Sequence, residues 1–289
     1  MALDKKNLAI RTVSGLVYAG LLVGAIVLGP VITAVLMAVF AVFASYELES
    51  NSIARNNPSL WTVTWLIDAV ALVVFVFSFS VLADFGIILL FIWALFMGLR
   101  GVLQIFLNQN RPLQSISVGV FSQFYIGLPL ALLVFAVNII PDPWILICAI
   151  SMIWINDTGA YIVGSLLGRH KMFPNLSPKK TWEGFIGGLA FNIGAAFIFY
   201  YCFNLYSFEL LGSVQGWILT GIFATVFATL GDLFESMLKR SLHIKDFGRL
   251  IPGHGGILDR IDSLLFVVPS FFIEMIFGFW ILNLKLFEL

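Results

Sequence analysis

Residues 232–262 read "DLFESMLKRSLHIKDFGRLIPGHGGILDRID", a run of acids, bases and glycines in a chain otherwise made mostly of Leu, Ile, Val, Phe and Ala. Asp232, Glu235, Ser236 and Lys239 stand at i, i+3, i+4 and i+7, which places them on one face of a helix. Beyond a loop, Asp259 and Asp262 share a stripe of the next helix at i, i+3, with Arg260 directed elsewhere. Two helices thus offer carboxylates to one point. Facing carboxylates repel unless a cation lies between them, and their oxygens are the ligands Mg²⁺ prefers while it keeps positions open for water and substrate phosphates. The glycines of Pro252-Gly253-His254-Gly255-Gly256 let backbone N–H groups approach an anion, and the helix start adds a favourable field. A magnesium site beside a phosphate cradle is what phosphoryl or nucleotidyl transfer requires. Zinc is disfavoured, because the 3 histidines are scattered without ligand spacing.

Two further stretches carry polar groups toward the same side. In "WINDTGAYIVGSLLGRH", Asn156 and Asp157 fall inside an apolar run, with Tyr161 one turn beyond Asp157 on the same face. The small residues Gly159, Ala160 and Gly164 predict close helix packing there. Asp157 reads either as a site residue or as a structural helix-to-helix hydrogen bond. In "SPKKTWEGFIGG", Ser177-Pro178 ends an extended loop, Lys179 and Lys180 pair two cations, and a helix begins at Thr181 or Trp182 with Glu183 in its first turn. Exposed N–H groups plus two lysines make a phosphate seat; an anchor for anionic lipid headgroups would use the lysines equally well.

The elements that must position these residues are membrane helices. Sixty per cent of the 289 residues are hydrophobic and 11% charged, and the mean hydropathy is +1.01, outside the range of a soluble domain. The fold expected is an all-α, polytopic integral membrane bundle of about nine transmembrane helices, near 12–28, 31–47, 62–81, 85–104, 116–138, 144–166, 184–204, 213–238 and 257–282. Gly29-Pro30, "NNPSLW" and "PDPW" supply turns between them. The first apolar run is long for a secretory signal and lacks a cleavage motif, so it reads as a retained helix. An odd number of spans puts the termini on opposite sides. With the amino terminus cytoplasmic, only Lys285 of the 16 Lys and Arg residues falls outside, a strong positive-inside bias. Residues 1–143 then form a scaffold of about five spans and residues 144–289 a catalytic region of about four, with two cytoplasmic loops. The formal net charge of zero gives no reason to expect nucleic acid as a partner. Cys148 and Cys202 read as packing residues, and Asp68, Asp84 and Glu274 as interfacial or helix-to-helix polar groups.

Residues 236–262, "SMLKRSLHIKDFGRLIPGHGGILDRID", resemble the signature of the phosphatidate cytidylyltransferases, or CDP-diacylglycerol synthases. The matching positions run from Ser236 and Lys239-Arg240 through Lys245-Asp246, Gly248, Ile251-Pro252 and His254-Gly255-Gly256 to Asp259-Arg260-Ile261-Asp262. "NDTGAY" and "SPKKTWEG" also look like stretches of that family, in the same order. The resemblance implies transfer of CMP from CTP to phosphatidic acid, with release of pyrophosphate. It implies magnesium on Asp232 and Asp259, a second cation as an option, and a bundle that is often a homodimer. Asp157, Glu235 and Asp262 are further acidic candidates. Lys179, Lys180, Lys239, Arg240, Lys245, Arg260, His254, Gly255, Gly256, Asn156 and Ser236 are the candidates for substrate. The location expected is a bacterial inner membrane, with the site facing the cytoplasm. Competing readings are a CTP-dependent kinase of polyprenol or phytol type, which would release CDP, and an ion-coupled transporter, which would not account for basic glycine-rich loops on one face.

Overall fold

In the computed structural model, residues 5–53, 61–80, 83–107, 111–203, 213–251 and 255–286 are described. The helices are α1 (Lys5–Leu28), α2 (Pro30–Ser52), α3 (Trp61–Ser78), α4 (Ala83–Leu107), α5 (Pro112–Ser122), α6 (Leu128–Ile139), α7 (Pro143–Leu167), α8 (Trp182–Phe203), α9 (Val214–Ser241) and α10 (Leu258–Leu286). A π-helical turn, Gln123–Gly127, joins α5 to α6 in one continuous run. Each expected span thus has its helix. Seven of the described helical segments are long and apolar enough to cross a membrane, and Thr12–Leu28 adds a shorter apolar one. The protein is a polytopic all-α membrane protein.

Local chemistry accounts for the helix starts. Pro30, Pro112 and Pro143 occupy first-turn positions, where the missing N–H costs nothing. Gly29 takes a positive φ of 103° that favours glycine at the break between α1 and α2. Asp142 caps α7 by accepting from Trp144 N at 3.0 Å. The turn expected at "NNPSLW" lies outside the described residues except for Trp61. The only departure from helix among the named elements is an antiparallel hairpin, β1 (Lys171–Phe173) and β2 (Ser177–Thr181). Thr181 ends that hairpin and caps α8, its Oγ1 accepting from Gly184 N at 3.1 Å.

The chain divides into two compact units. The first comprises residues 1–139 and 241–261, the second residues 140–240 and 262–289. The loop after α9 and the first turn of α10 therefore group with the amino-terminal helices.

In the first unit, α2 is a central helix, with Ala34, Met37, Ala41 and Ala44 fully buried. Its neighbour α3 buries Ala71, Leu72 and Val76, and α6 buries Leu130, Ala131 and Val134. Between the helices lies a charged pair. Arg100 Nε donates to Asp68 Oδ2 at 2.8 Å, and Arg100 Nη2 donates to Ser115 O and Oγ at 3.0 and 2.9 Å. Gln123 Nε2 donates to Asp68 O at 3.0 Å. Gly119 is required beside them, since a Cβ there would lie 2.6 Å from Asp68 Oδ2.

In the second unit, α7 and α8 cross at a seam of small residues. A Cβ on Gly159 would lie 2.7 Å from Phe191 Cγ, one on Gly184 would lie 3.0 Å from Ala160 O, and one on Gly187 would collide with Val163. The packing expected at Gly159, Ala160 and Gly164 is present, and its other half is the "GFIGG" run of α8. Glu274 accepts from Thr220 Oγ1 at 2.6 Å, a helix-to-helix bond of the kind expected for it. Cys148 is a buried free thiol, in keeping with a packing role.

Arg100 and Asp68 have side chains only 1% and 0% exposed. Removing one partner of such a pair strands a buried charge, at a cost of about 3–5 kcal/mol, whereas removing both is far milder. Arg100→Leu should therefore lower the unfolding midpoint in detergent sharply, and Asp68→Leu combined with Arg100→Leu should recover much of the loss.

Candidate active site

The second unit holds a cavity of about 490 Å³ whose lining joins five elements, α7, β1, β2, α8 and α9. Asn156, Asp157 and Tyr161 come from α7, Lys179 and Lys180 from β2, and Asp232 from α9. The α7–α8 seam makes this possible. With no side chains at Gly164 and Gly184, the two helices approach closely enough to bring the hairpin back against α7. Glu183, in the first turn of α8, ties down the base of that hairpin. Its carboxylate accepts from Arg169 N and His170 N at 3.2 Å and contacts His170 Nδ1 at 2.5 Å.

Lys180 is the central cation of the cavity. Its Nζ lies 2.6 Å from Asp232 Oδ2 and donates to Thr229 O at 3.3 Å, with the lysine side chain 24% and the aspartate 39% exposed. Lys179, its neighbour in the strand, is exposed. Asn156 is buried, its Nδ2 3.4 Å from Asp157 Oδ1, and its Oδ1 has no hydrogen-bond partner among the described residues. That oxygen lies against Gly188 of α8, where a Cβ would come within 2.3 Å of it.

A second acidic group adjoins Asp232. Ligand oxygens of Asp232, Glu235 and Asp262 all lie within 4.8 Å of one another. The approach of α10 to α9 follows from Gly231, where a Cβ would lie 2.6 Å from Asp262 O and 3.1 Å from Ser263 Cα. Glu235 is buried and ion-paired to Lys239 one turn on, and Ser236 Oγ lies 3.5 Å from Asp232 Oδ1. The helical face expected from the i, i+3, i+4, i+7 spacing is thus present. Three oxygens of carboxylates in one cluster, with two lysine ammonium groups already drawn to it, are a donor set that fits a hard divalent cation.

Asp259 belongs to the first unit and is buried. Its Oδ2 accepts from Phe247 N at 2.9 Å and from Gly256 N at 2.8 Å, so it organises the loop that precedes α10. Gly255 adopts a positive φ of 88°, and its carbonyl accepts from Ile251 N at 2.9 Å. Arg240, Lys245 and Arg260 are exposed. His254 lies outside the described residues.

Sequence reasoning missed two contributors on α2. Glu47 is buried at 6% exposure, and its Oε1 and Oε2 accept from Ile257 N at 3.1 Å and Leu258 N at 2.9 Å. Asn51, one turn later, donates to Phe247 O at 2.9 Å. Nothing local marked either residue. The only signal was a glutamate inside an apolar span, and such a group needs a partner.

A polytopic membrane bundle with a cavity joining acids, lysines and a buried amide defines a membrane protein with a charged, part-buried site. More particularly, the chain belongs to the Cytidylyltransferase family, whose sequence model matches residues 9–277. It is similar to the phosphatidate cytidylyltransferase of Staphylococcus haemolyticus, with 49% identity over 123 residues, 42% of this chain and 45% of the relative. The Staphylococcus aureus protein of that name is 46% identical over 125 residues and the Staphylococcus saprophyticus one 47% over 123, with the same shares covered. The alignments thus span less than half the length of these relatives.

The glycine seam yields a test. Gly187→Val would drive a branched side chain into Val163, and overpacking of this kind costs about 1–3 kcal/mol. The expected outcome is a lower unfolding midpoint, measured by calorimetry on the purified protein.

Proposed function

We propose that the chain is a phosphatidate cytidylyltransferase: it transfers CMP from CTP to phosphatidic acid, giving CDP-diacylglycerol and pyrophosphate in phospholipid synthesis. The observation that carries this reading is the joining of Asp157, Lys179, Lys180 and Asp232 around one cavity of nucleotide size, beside the Asp232–Glu235–Asp262 cluster. The relatives' names and the complete signature over residues 236–262 point the same way.

Phosphatidic acid carries a phosphomonoester whose second pKa is about 6, so it is already largely a dianion near neutral pH. It needs no strong base. One of its oxygens attacks the α-phosphorus of CTP, a new P–O bond forms, and the bond to the bridging oxygen breaks with its electron pair leaving on pyrophosphate. The chain's tasks are to hold two anions together and to offset the charge on the leaving group. Lys179 and Lys180 serve as phosphate contacts. Lys180 already sits against a carboxylate oxygen at the cavity wall, so its ammonium can exchange that oxygen for one of a substrate phosphate. Asn156, which lines the cavity, is a candidate contact for a polar substrate group such as a ribose hydroxyl or a base amino group.

Magnesium fits the acids described above. Asp232 would hold it, with Glu235 and Asp262 from the cluster, Asp259 from the signature and Asp157 across the cavity as the remaining candidates, for one ion or two. When bound, it would neutralise charge on the triphosphate. Lys239, Arg240, Lys245, Arg260 and Ser236 are the signature's candidates for further substrate contacts, with His254 and Gly255; the amide of Gly256, a candidate in the sequence, is instead held by Asp259 Oδ2 at 2.8 Å. The proposed setting is a bacterial inner membrane with amino terminus and cavity cytoplasmic, the chain acting alone or as a homodimer. One substrate is water-soluble and the other lies in the bilayer, and a site at the cytoplasmic surface meets both.

The test uses purified protein with Mg²⁺, phosphatidic acid and CTP labelled at the α-phosphate. Label in the lipid phase with stoichiometric pyrophosphate is expected. Unlabelled lipid with accumulating CDP would show a kinase instead, and no CTP consumption with any lipid would overturn the enzyme reading. Asp232→Asn should lower turnover by about 10²–10³-fold or more with an unchanged unfolding midpoint, as expected when charge stabilisation is removed. Near-normal turnover in that variant would overturn the metal assignment.

A further inference from the structure

The first turn of α10 begins with backbone donors that have no partner inside the helix. A helix start of this kind attracts an anion, and the anion found there is the carboxylate of Glu47, about 210 residues earlier in the chain, which accepts from Ile257 N and Leu258 N. The preceding amide, Gly256 N, is held by Asp259 Oδ2, which also accepts from Phe247 N. Asn51 closes the arrangement from α2, its amide donating to Phe247 O and to Glu47 O at 2.9 and 2.7 Å. The loop leading into α10 is therefore clasped from both sides, by Glu47 and Asn51 of α2 and by Asp259 of α10.

Two glycines exist to admit this clasp. A Cβ on Gly248 or on Gly256 would collide with the Glu47 carboxylate. Both are constrained positions of the signature, and Glu47 lies outside it. At Gly256, where the sequence predicts room for a substrate anion, the space is taken by an anion of the protein. Glu47 is not among the residues that line the cavity. What it fixes is the register and direction of the start of α10, whose opening residues include Asp259, Arg260 and Asp262.

We propose that Glu47 is a positioning residue for the cytidylyl transfer: it sets the start of α10 so that the acids and the arginine of that helix are presented to metal and substrate. This rests on the functional reading above. The competing view is that Glu47 supports folding alone, as any buried carboxylate with two partners would.

The experiment compares the full-length chain with Glu47→Gln and Gly256→Ala, all purified in detergent. Glu47→Gln keeps the size of the side chain but presents an amide N–H₂ to a backbone N–H, so one bond is lost and a repulsion gained. The expected result is a fall in kcat of about 10–100-fold, with KM for CTP changed less than about threefold. The Mg²⁺ concentration for half-maximal rate should rise at least about fivefold, and the unfolding midpoint should hold within a few degrees. Gly256→Ala should give the same pattern, and Gly256→Ala in a Glu47→Ala background should cost little beyond Glu47→Ala alone, because the space is then free.

Wild-type kcat and Mg²⁺ dependence in Glu47→Gln would overturn the proposal. So would a loss of activity that merely tracks a lost folded fraction, or an additive double variant. Should the wild-type chain transfer no label to lipid, the functional reading fails separately. The clasp is then read from hydrogen exchange at the amides of Ile257 and Leu258, which Glu47→Gln should accelerate at least about tenfold; unchanged exchange would sink it.

Discussion

A charge inside an apolar helix bundle has to be neutralised on the spot, because water is excluded and an unpaired ion costs several kcal/mol. Much of the polar architecture described above follows from that constraint. Asp68 is matched by Arg100 and Ser115. Glu235 is matched by Lys239, Asp232 by Lys180, and Glu274 by a hydroxyl of Thr220. Glu47 is matched by two backbone amides at a helix start. The acids divide by the mobility of their partners. Asp68 and Glu47 face a fixed guanidinium and a fixed backbone, so they are built into the scaffold. Asp232 faces a lysine on a long flexible stem, at a cavity wall and part exposed, so its partner can leave. Only the second kind of pairing leaves a carboxylate available for chemistry.

Close backbone approach is the second condition. The cavity requires α7 to meet α8 without intervening side chains, and the acidic cluster requires α10 to meet α9 at Gly231. Lipid tails give no hydrophobic drive for helices to associate, so small residues that allow dense contact do the work instead. The glycines of "GFIGG" and the glycine before Asp232 thus belong to the site as much as the charged residues do. They set how near the lysines of β2 can come to Asp157 and Asp232.

What the sequence disclosed and what it hid divide along the same line. Features repeated within one element were legible. The period of α9 alone puts Asp232, Glu235, Ser236 and Lys239 on one face, and hydropathy with proline placement locates the helices. The hairpin was read only as an extended loop, because Lys171–Phe173 and Ser177–Thr181 show no alternation of apolar and polar residues. Glu47 was legible only as a glutamate inside an apolar span, with no sign of what it holds. Its partners are backbone amides far away in the chain, and backbone amides leave no mark in a sequence. Asp259 was read as a metal ligand, and its bonds to Phe247 N and Gly256 N could not be foreseen from its spacing to Asp262.

The helix start after "HGG" shows how a sound local inference can be right in its physics and incomplete in its outcome. Glycines before a helix, exposed N–H groups and a favourable dipole do attract an anion there. The local sequence cannot say which anion. Glu47 and Asp259 take up the amides of Gly256, Ile257 and Leu258, and at the start of α8 Thr181 takes Gly184 N while His170 O takes Trp182 N. With these backbone donors spent inside the protein, recognition of substrate phosphate under the proposed reaction falls to side chains that can move. Lys179 and Lys180 beside the cavity are the ones in place. A cation on a flexible stem can follow a phosphate oxygen as its charge shifts from α-phosphate to leaving pyrophosphate, which a fixed amide cannot do. On this reading the rigid donors hold the frame and the flexible cations serve the reaction.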